Sequence, residues 1–347
     1  MNKSRRNFIR RITASTAGIV AASYVKPVST QILKSKISVI LEKGSDRRET
    51  VYNAIKPFKK EIERGIQKKR VFVKPNNVMD SHPLCATNPD TLRAVLDLLT
   101  EITDQQIVIA ESTASPLGTM YTFEEYGYFP LEKEYNIKLY DLNTSTSTTR
   151  WIHDQKLIPV GIEIIDEFLA PDIYWISVAI TKTHDSAIGT LGFKNMLMAS
   201  PLNVHKSDKR FVRNQIEKSK MHWGGSLGFN WNMFQLARNV RPDFVIIDGH
   251  EGMEGNGPVR GTKVEHGIAL AGPDVVAVDR TALELMGIAY EDVGYLQWCA
   301  NAGFGQGNRD LIEVIGEKVT DHIIKYKSHS NIERELEWKL GGVKAPD

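Results

Sequence analysis

Four polar clusters in this chain each close an apolar run rich in β-branched residues. Lys74-Pro75-Asn76-Asn77 follows RVFV, Glu111-Ser112 follows QIVIA, Lys182-Thr183-His184 follows PDIYWISVAIT, and Asp248-Gly249 follows PDFVII. A lysine or aspartate at the end of a buried strand is a costly choice for a plain turn, because burial disfavours charge. Desolvation there would also lower the pKa of both Lys182 and His184. Lys74, Lys182, His184 and Asp248 are therefore the candidate catalytic groups. Asn76, Asn77, Glu111 and Ser112 are candidate ligand contacts.

Two further stretches extend this set. Thr190-Leu191-Gly192-Phe193-Lys194-Asn195 opens a helix whose first N–H groups, with Lys194 and Asn195, are expected to hold an anion. Its glycine spacing matches neither a Walker loop nor a dinucleotide fingerprint. The run from Asp248 to Pro258 is rich in glycine and carries Glu254 and Asn256; it is read as a binding loop. His184, His205 and His222 fall within 39 residues and are candidate ligands for a divalent metal, with Asp248 or Glu254 completing the shell.

The elements that position these residues alternate. Strands are expected at 36–42, 70–74, 106–110, 138–142, 171–181, 242–248, 266–271 and 311–315. Helices are expected at 48–65, from Asn88-Pro89 to about Thr100, at 226–239 and at 274–286. Such alternation predicts an α/β fold, a parallel-rich sheet flanked by helices. Ligands of open parallel sheets bind beyond the carboxyl ends of the strands. The polar clusters should thus converge on one cleft at that edge. One α/β domain is expected over 36–318, with 143–150 the place where two subdomains would part, and a peripheral tail over 319–347.

The N-terminus is read separately. Arg5-Arg6-Asn7-Phe8 precedes a mildly apolar stretch of Ala, Thr, Gly, Ile and Val ending at Ala22. Residues 1–22 resemble a twin-arginine signal peptide, followed by a linker at 23–35. The resemblance implies the twin-arginine translocase as a partner and a periplasmic or otherwise exported protein. The 347-residue chain carries 44 Lys+Arg against 42 Asp+Glu, but the first 22 residues hold five basic and no acidic side chains. The remainder, at 39 basic and 42 acidic, is slightly acidic, which argues against nucleic-acid binding. No run of 18 apolar residues occurs, so no stable transmembrane segment is expected.

Lys74-Pro-Asn, Thr87-Asn-Pro, Glu111-Ser112, Lys182-Thr-His, Gly192-Phe-Lys-Asn, Asp248-Gly, Met253-Glu-Gly-Asn-Gly-Pro and Ala277-Val278-Asp279 occur in an order that resembles domain-of-unknown-function family 362 over about residues 37–315. Some members of that family carry an added ferredoxin-like cysteine cluster. This chain has only Cys85 and Cys299, so no iron–sulfur cluster is expected within it. The residues fit an exported enzyme acting on a small anionic or carboxylate-bearing molecule. A periplasmic binding protein for an anionic ligand, and an oxidoreductase accessory that docks to an electron-transfer partner, are the alternatives.

Overall fold

Strand residues alternate between two cores, and this is what builds the molecule. A computed structural model describes residues 36–80, 82–205 and 215–341. The expected signal peptide and linker lie outside the described residues. The strands are β1 (Ile37–Lys43), β2 (Arg70–Pro75), β3 (Ile107–Glu111), β4 (Ile137–Asp141), β5 (Ser147–His153), β6 (Pro159–Ile165), β7 (Ile173–His184), β8 (Ile188–Thr190), β9 (Asn203–Val204), β10 (Gln215–Ile216), β11 (Phe244–Glu254), β12 (Thr262–Gly272) and β13 (Ile312–Gly316). The main sheet runs β13-β1-β12-β11-β7-β2-β3-β4, with β8 folded back on β7. β12 pairs antiparallel with both neighbours, and the other neighbouring pairs along this path are parallel.

Both faces of this sheet are covered, so its central strands are apolar on both faces over most of their length. Val71, Val73, Ile176, Val178 and Ile246 point into one core, beneath the helices Arg47–Ile55 and Pro89–Thr100. Phe72, Trp175, Ala179, Val245 and Ile247 point into the other, with Phe229 and Met233 of the helix Gly225–Ala237 and Ala282 of the helix Val275–Leu285. The pleat sends successive side chains to opposite faces. That parity separates Lys74 from Asp248 below. The α/β architecture with a mostly parallel sheet is as expected.

Local chemistry sets several boundaries. Asn88 caps the helix Pro89–Thr100 by accepting from the Asp90 N–H at 2.8 Å, with proline at the first position. The helix expected over 48–65 is two helices, Arg47–Ile55 and Lys59–Ile66, joined by a tight turn at Lys56–Phe58. Pro57 lacks the N–H that a continuous helix would need there.

Three elements differ from expectation. Residues 143–150 lead into a hairpin in which β5 pairs with β6, and Lys36 onward forms one compact unit across that stretch. The glycine-rich run after Asp248 is not a loop throughout: β11 continues to Glu254, still paired with β12, past an irregularity between Gly249 and Glu251. The tail is anchored rather than peripheral. Tyr326, Glu335 and Trp338 are buried, and the Tyr326 hydroxyl meets Thr181 at 3.1 Å. Among the described residues no helix is long and apolar enough to cross a membrane.

Candidate functional site

At the carboxyl end of β2, Lys74 lies on the same pleat as Phe72 and is almost wholly buried. Its ammonium donates to Glu111 Oε2 at 2.7 Å, to Asn195 Oδ1 at 3.0 Å and to the Pro75 carbonyl at 2.6 Å. These three acceptors satisfy all its protons. Glu111 also accepts from the Ser112 N–H through Oε1 at 2.7 Å. Asn195 is fixed in turn, donating to the Lys74 carbonyl at 3.1 Å and to Ser177 Oγ at 3.0 Å. Asn76 donates to Asn195 Oδ1 at 3.2 Å and accepts from Lys182 Nζ at 2.5 Å. One polar lattice thus ties β2, β3, β7 and the helix Gly192–Leu197 together.

In front of this lattice lies a cavity of about 320 Å³. Lys74, Asn76, Asn77, Glu111, Ser112, His184, Lys194, Asn195, His205 and His222, all expected at a site, line it. Asp185, Thr190, Asn203, Lys218 and Pro258 line it as well. Lys182 is buried directly behind Asn76 and reaches the wall through that amide.

The remaining expected residues are elsewhere, and for Asp248 the pleat explains why. Asp248 follows Ile246 on the opposite face from Phe72. It accepts from Thr91 Oγ1 at 2.5 Å and pairs with Arg47 at 3.3 Å, so it joins sheet to helices on the far side of the cavity. Glu254 accepts from the Lys327 N–H at 2.8 Å and Asn256 from the Ser330 N–H at 3.1 Å. These two hold the tail and do not line the cavity. The glycine-rich segment reaches the cavity only through Pro258. Gly257 lies so close to β7 that a Cβ there would sit 2.1 Å from the Thr183 carbonyl oxygen.

The helix Gly192–Leu197 does not offer its N–H groups to an anion. Asp279 takes them, with Oδ1 accepting from Gly192 N at 2.8 Å and Oδ2 from Phe193 N at 2.9 Å. Burial pushes the Asp279 carboxyl up to about 7 against these hydrogen bonds. A Cβ on Gly192 would lie 2.3 Å from Val245 and 3.0 Å from that carboxylate, so glycine is required for the approach.

The histidines share a wall but are not assembled as a ligand shell. His184 and His222 both stack on Phe229, with ring centroids 6.2 and 4.7 Å away. His205 meets Asn203 Nδ2 at 3.2 Å. Among the described residues no group of three or more His, Cys, Asp or Glu side chains is placed to hold a metal ion. The expected set of His184, His205 and His222 with Asp248 or Glu254 is therefore not brought together. Aromatic packing holds two of the rings, and both acids are engaged elsewhere.

Electrostatically the cavity is cationic. Lys218 donates to Ser112, to its carbonyl and, at 3.0 Å, to its hydroxyl. Burial pulls Lys218 down to about 7. Burial and then the nearby charge of Lys182 pull Lys194 down to about 7 as well. Lys182 falls to about 8 through burial, and Lys74 is lowered by burial against the pull of Glu111. His184 drops to about 3 and His222 to about 4, each chiefly through burial and then through Lys194. His184 is thus neutral, and its Nδ1 lies 3.0 Å from both the Ser186 backbone nitrogen and Asp185 Oδ1.

Among the described residues, three groups in the wall lack a hydrogen-bond partner. Both polar atoms of the Asn77 amide and the Thr190 hydroxyl are buried without a hydrogen bond. Lys194 is buried, and among the described residues its ammonium has no hydrogen bond or ion pair. Unmade hydrogen bonds on buried groups are expensive, and native structures rarely leave them. Sequence reading missed Lys218 and Asp185. Lys218 lies in a polar stretch with no period, and Asp185 follows His184 at a turn; neither position carries a signal without the fold.

Comparison with known proteins agrees with the order of motifs. The chain is 27% identical over 229 residues to a thylakoid-associated protein of Synechocystis sp., an alignment that spans 62% of this chain and 63% of that protein. A crystal structure of a protein from Thermotoga maritima aligns with 63% of this chain and 54% of its own, at 11% identity and a TM-score of 0.39. The family model described as domain of unknown function (DUF362) matches residues 71–284, from β2 to the last turn of the helix that supplies Asp279. With the match spanning most of the sheet and all of the lysine–asparagine lattice, the chain belongs to that family.

Proposed function

We propose that this protein is an enzyme acting on a small anionic, carboxylate-bearing molecule held in the lysine-lined cavity. The observation that carries this reading is the set of buried groups without a hydrogen bond among the described residues, the Asn77 amide, the Thr190 hydroxyl and the Lys194 ammonium, on a wall whose lysines outnumber its acids. An anion satisfies the amide N–H and the ammonium, and its charge offsets the mutual repulsion of the lysines. Lys194 and Lys218 sit where a bound carboxylate is contacted directly. Lys74 and Lys182 act one layer back and position Asn195 and Asn76. A simple anion receptor gains from fully charged lysines, whereas amines brought close to neutrality suit proton transfer or nucleophilic attack. That contrast favours turnover over capture.

The test uses oxalate and inorganic phosphate as probes in calorimetric titration near pH 6. Lys218→Met is expected to weaken oxalate about tenfold or more, the range for losing a charged hydrogen bond. Asn77→Leu is expected to weaken it too, while leaving thermal stability unchanged or higher, because it removes an amide that the empty protein leaves unsatisfied. Binding of neither probe, or equal binding by both variants, overturns the reading.

We further infer export by the twin-arginine route, from Arg5-Arg6 and the apolar stretch behind them. Receptor recognition of paired guanidinium groups is not satisfied by lysine, which lacks the planar fork. Changing both arginines to lysine should retain the protein in the cytoplasm, as followed by cell fractionation. Unaltered export of the double variant would refute this route.

A further inference from the structure

Resting on the anion-site reading above, the geometry points to a narrower class of substrate: a small 2-oxo carboxylate whose carbonyl carbon forms an imine with Lys194. The four lysines at the site are not equivalent. Lys74 spends its three protons on Glu111, Asn195 and Pro75. Lys182 donates to Asn76 and does not reach the cavity. Lys218 lines the cavity but is tied to both oxygens of Ser112. Lys194 lines the same cavity and, among the described residues, is held by nothing. Its backbone is nevertheless fixed, since Asp279 grips the two residues before it and Asn195 after it is locked into the lattice. This is an amine without a hydrogen bond among the described residues, on a fixed stem, facing a cavity of small-molecule size.

An amine attacks a carbonyl only as the free base. Burial, and then the charges of Lys182, Lys218 and Lys74, disfavour the ammonium form of Lys194 against the pull of Asp185 and bring it down to about 7. The same neighbours attract the carboxylate of the substrate. The combination of a free amine beside fixed cations places a negative group next to the electrophilic carbon, as a 2-oxo acid provides. A simple aldehyde or ketone lacks the anion, and a saturated carboxylate lacks the electrophile.

The step balances without a further reagent. The Lys194 Nζ lone pair forms a bond to the keto carbon, and the carbonyl oxygen takes up a proton to give a carbinolamine. The carbinolamine then loses its hydroxyl with one proton as water. Amine plus oxo acid thus yields imine plus water, with no net oxidation. Protonation of the imine nitrogen makes an electron sink beside the carboxylate.

The experiment incubates the full-length protein with glyoxylate and sodium cyanoborohydride, followed by intact-mass and peptide mass spectrometry. One reduced adduct per chain is expected at Lys194. Excess oxalate, which has the anion but no keto carbon, should suppress it, and Lys194→Arg, which keeps the charge but cannot form an imine, should abolish it. Lys194→Met provides a second variant if arginine is not accommodated, and mapping of the wild-type adduct needs no variant at all. Adducts scattered over surface lysines, or none at Lys194 in a protein that still binds oxalate, would overturn the imine while leaving the anion site intact. Loss of oxalate binding in the wild-type protein would instead remove the anion site itself, and the imine with it.

Discussion

Replacing Glu111 with alanine is expected to lower the free energy of unfolding by about 3–5 kcal/mol at neutral pH, the range for removing one partner of a buried ion pair. Glu111 and Lys74 are both almost fully buried, and among the described residues their 2.7 Å contact is the ion pair that ammonium makes. Asn195 and Pro75 still accept from Lys74 in the variant, but neither carries charge. Burial already lowers the Lys74 pKa, and loss of Glu111 removes the opposing pull. Lys74 of the variant should therefore shed its proton at a lower pH than in the parent. The sign follows: with its folded pKa below the unfolded one, stability rises with pH across the interval between them. The cost of Glu111→Ala should accordingly shrink as pH rises. Adding Lys74→Met to a Glu111→Leu background should recover part of the loss, because an apolar pair of similar volume leaves no buried charge. Urea unfolding at several pH values measures all three. A cost below about 1 kcal/mol, typical of exposed pairs, would mean that the pair is not the anchor described here.

The sheet was legible because β-branched apolar runs alternate with amphipathic helices, and that pattern dictates layers. Lys74, Glu111, Lys182, His184 and Lys194 were legible as a group because each closes or follows such a run. Asp248 ends its strand in the same way, yet it faces the other side. Strand-end position locates a residue along the sheet, while the face depends on parity relative to Phe72 and Ile246, and register between strands is not written in either run alone. Glu254 and Asn256 lie away from the cavity for a different reason. Their glycine-rich context resembles a loop, but β12 extends the pairing and the tail supplies N–H donors to their side chains. Asp279 shows the same limit from the other side. An acid early in a helix reads as dipole compensation, and only the tertiary structure brings it to the first N–H groups of another helix. Lys218 reaches Ser112 across more than a hundred residues, a contact that no local pattern encodes.

The second large effect is on ligand affinity, which should be highest below about pH 7 and fall as pH rises above it. Lys194 and Lys218 both titrate near 7 in the folded protein. Their charged forms predominate on the acid side, and an anion requires those forms. Above 7, each lysine whose charge the anion needs must take up a proton on binding, which weakens affinity about tenfold per pH unit. His184 and His222, lowered to about 3 and about 4, stay neutral throughout and contribute no slope. The empty protein should behave in the opposite sense. The unfolded chain keeps these lysines protonated to near 10.5, so between about 7 and 10.5 it binds more protons than the native state, and stability rises with pH in that window. Opposed pH dependences of stability and affinity are what distinguish lysines kept uncomfortable for a ligand from lysines paired for the fold. Calorimetric titration of oxalate from pH 6 to 9 reads the first, and urea unfolding over the same range reads the second. Lys218→Met should reduce the slope of log affinity against pH by about one, because one linked proton is gone. Affinity that is level or rises from pH 6 to 9 would show that these amines do not hold the anion, however close they lie to the cavity.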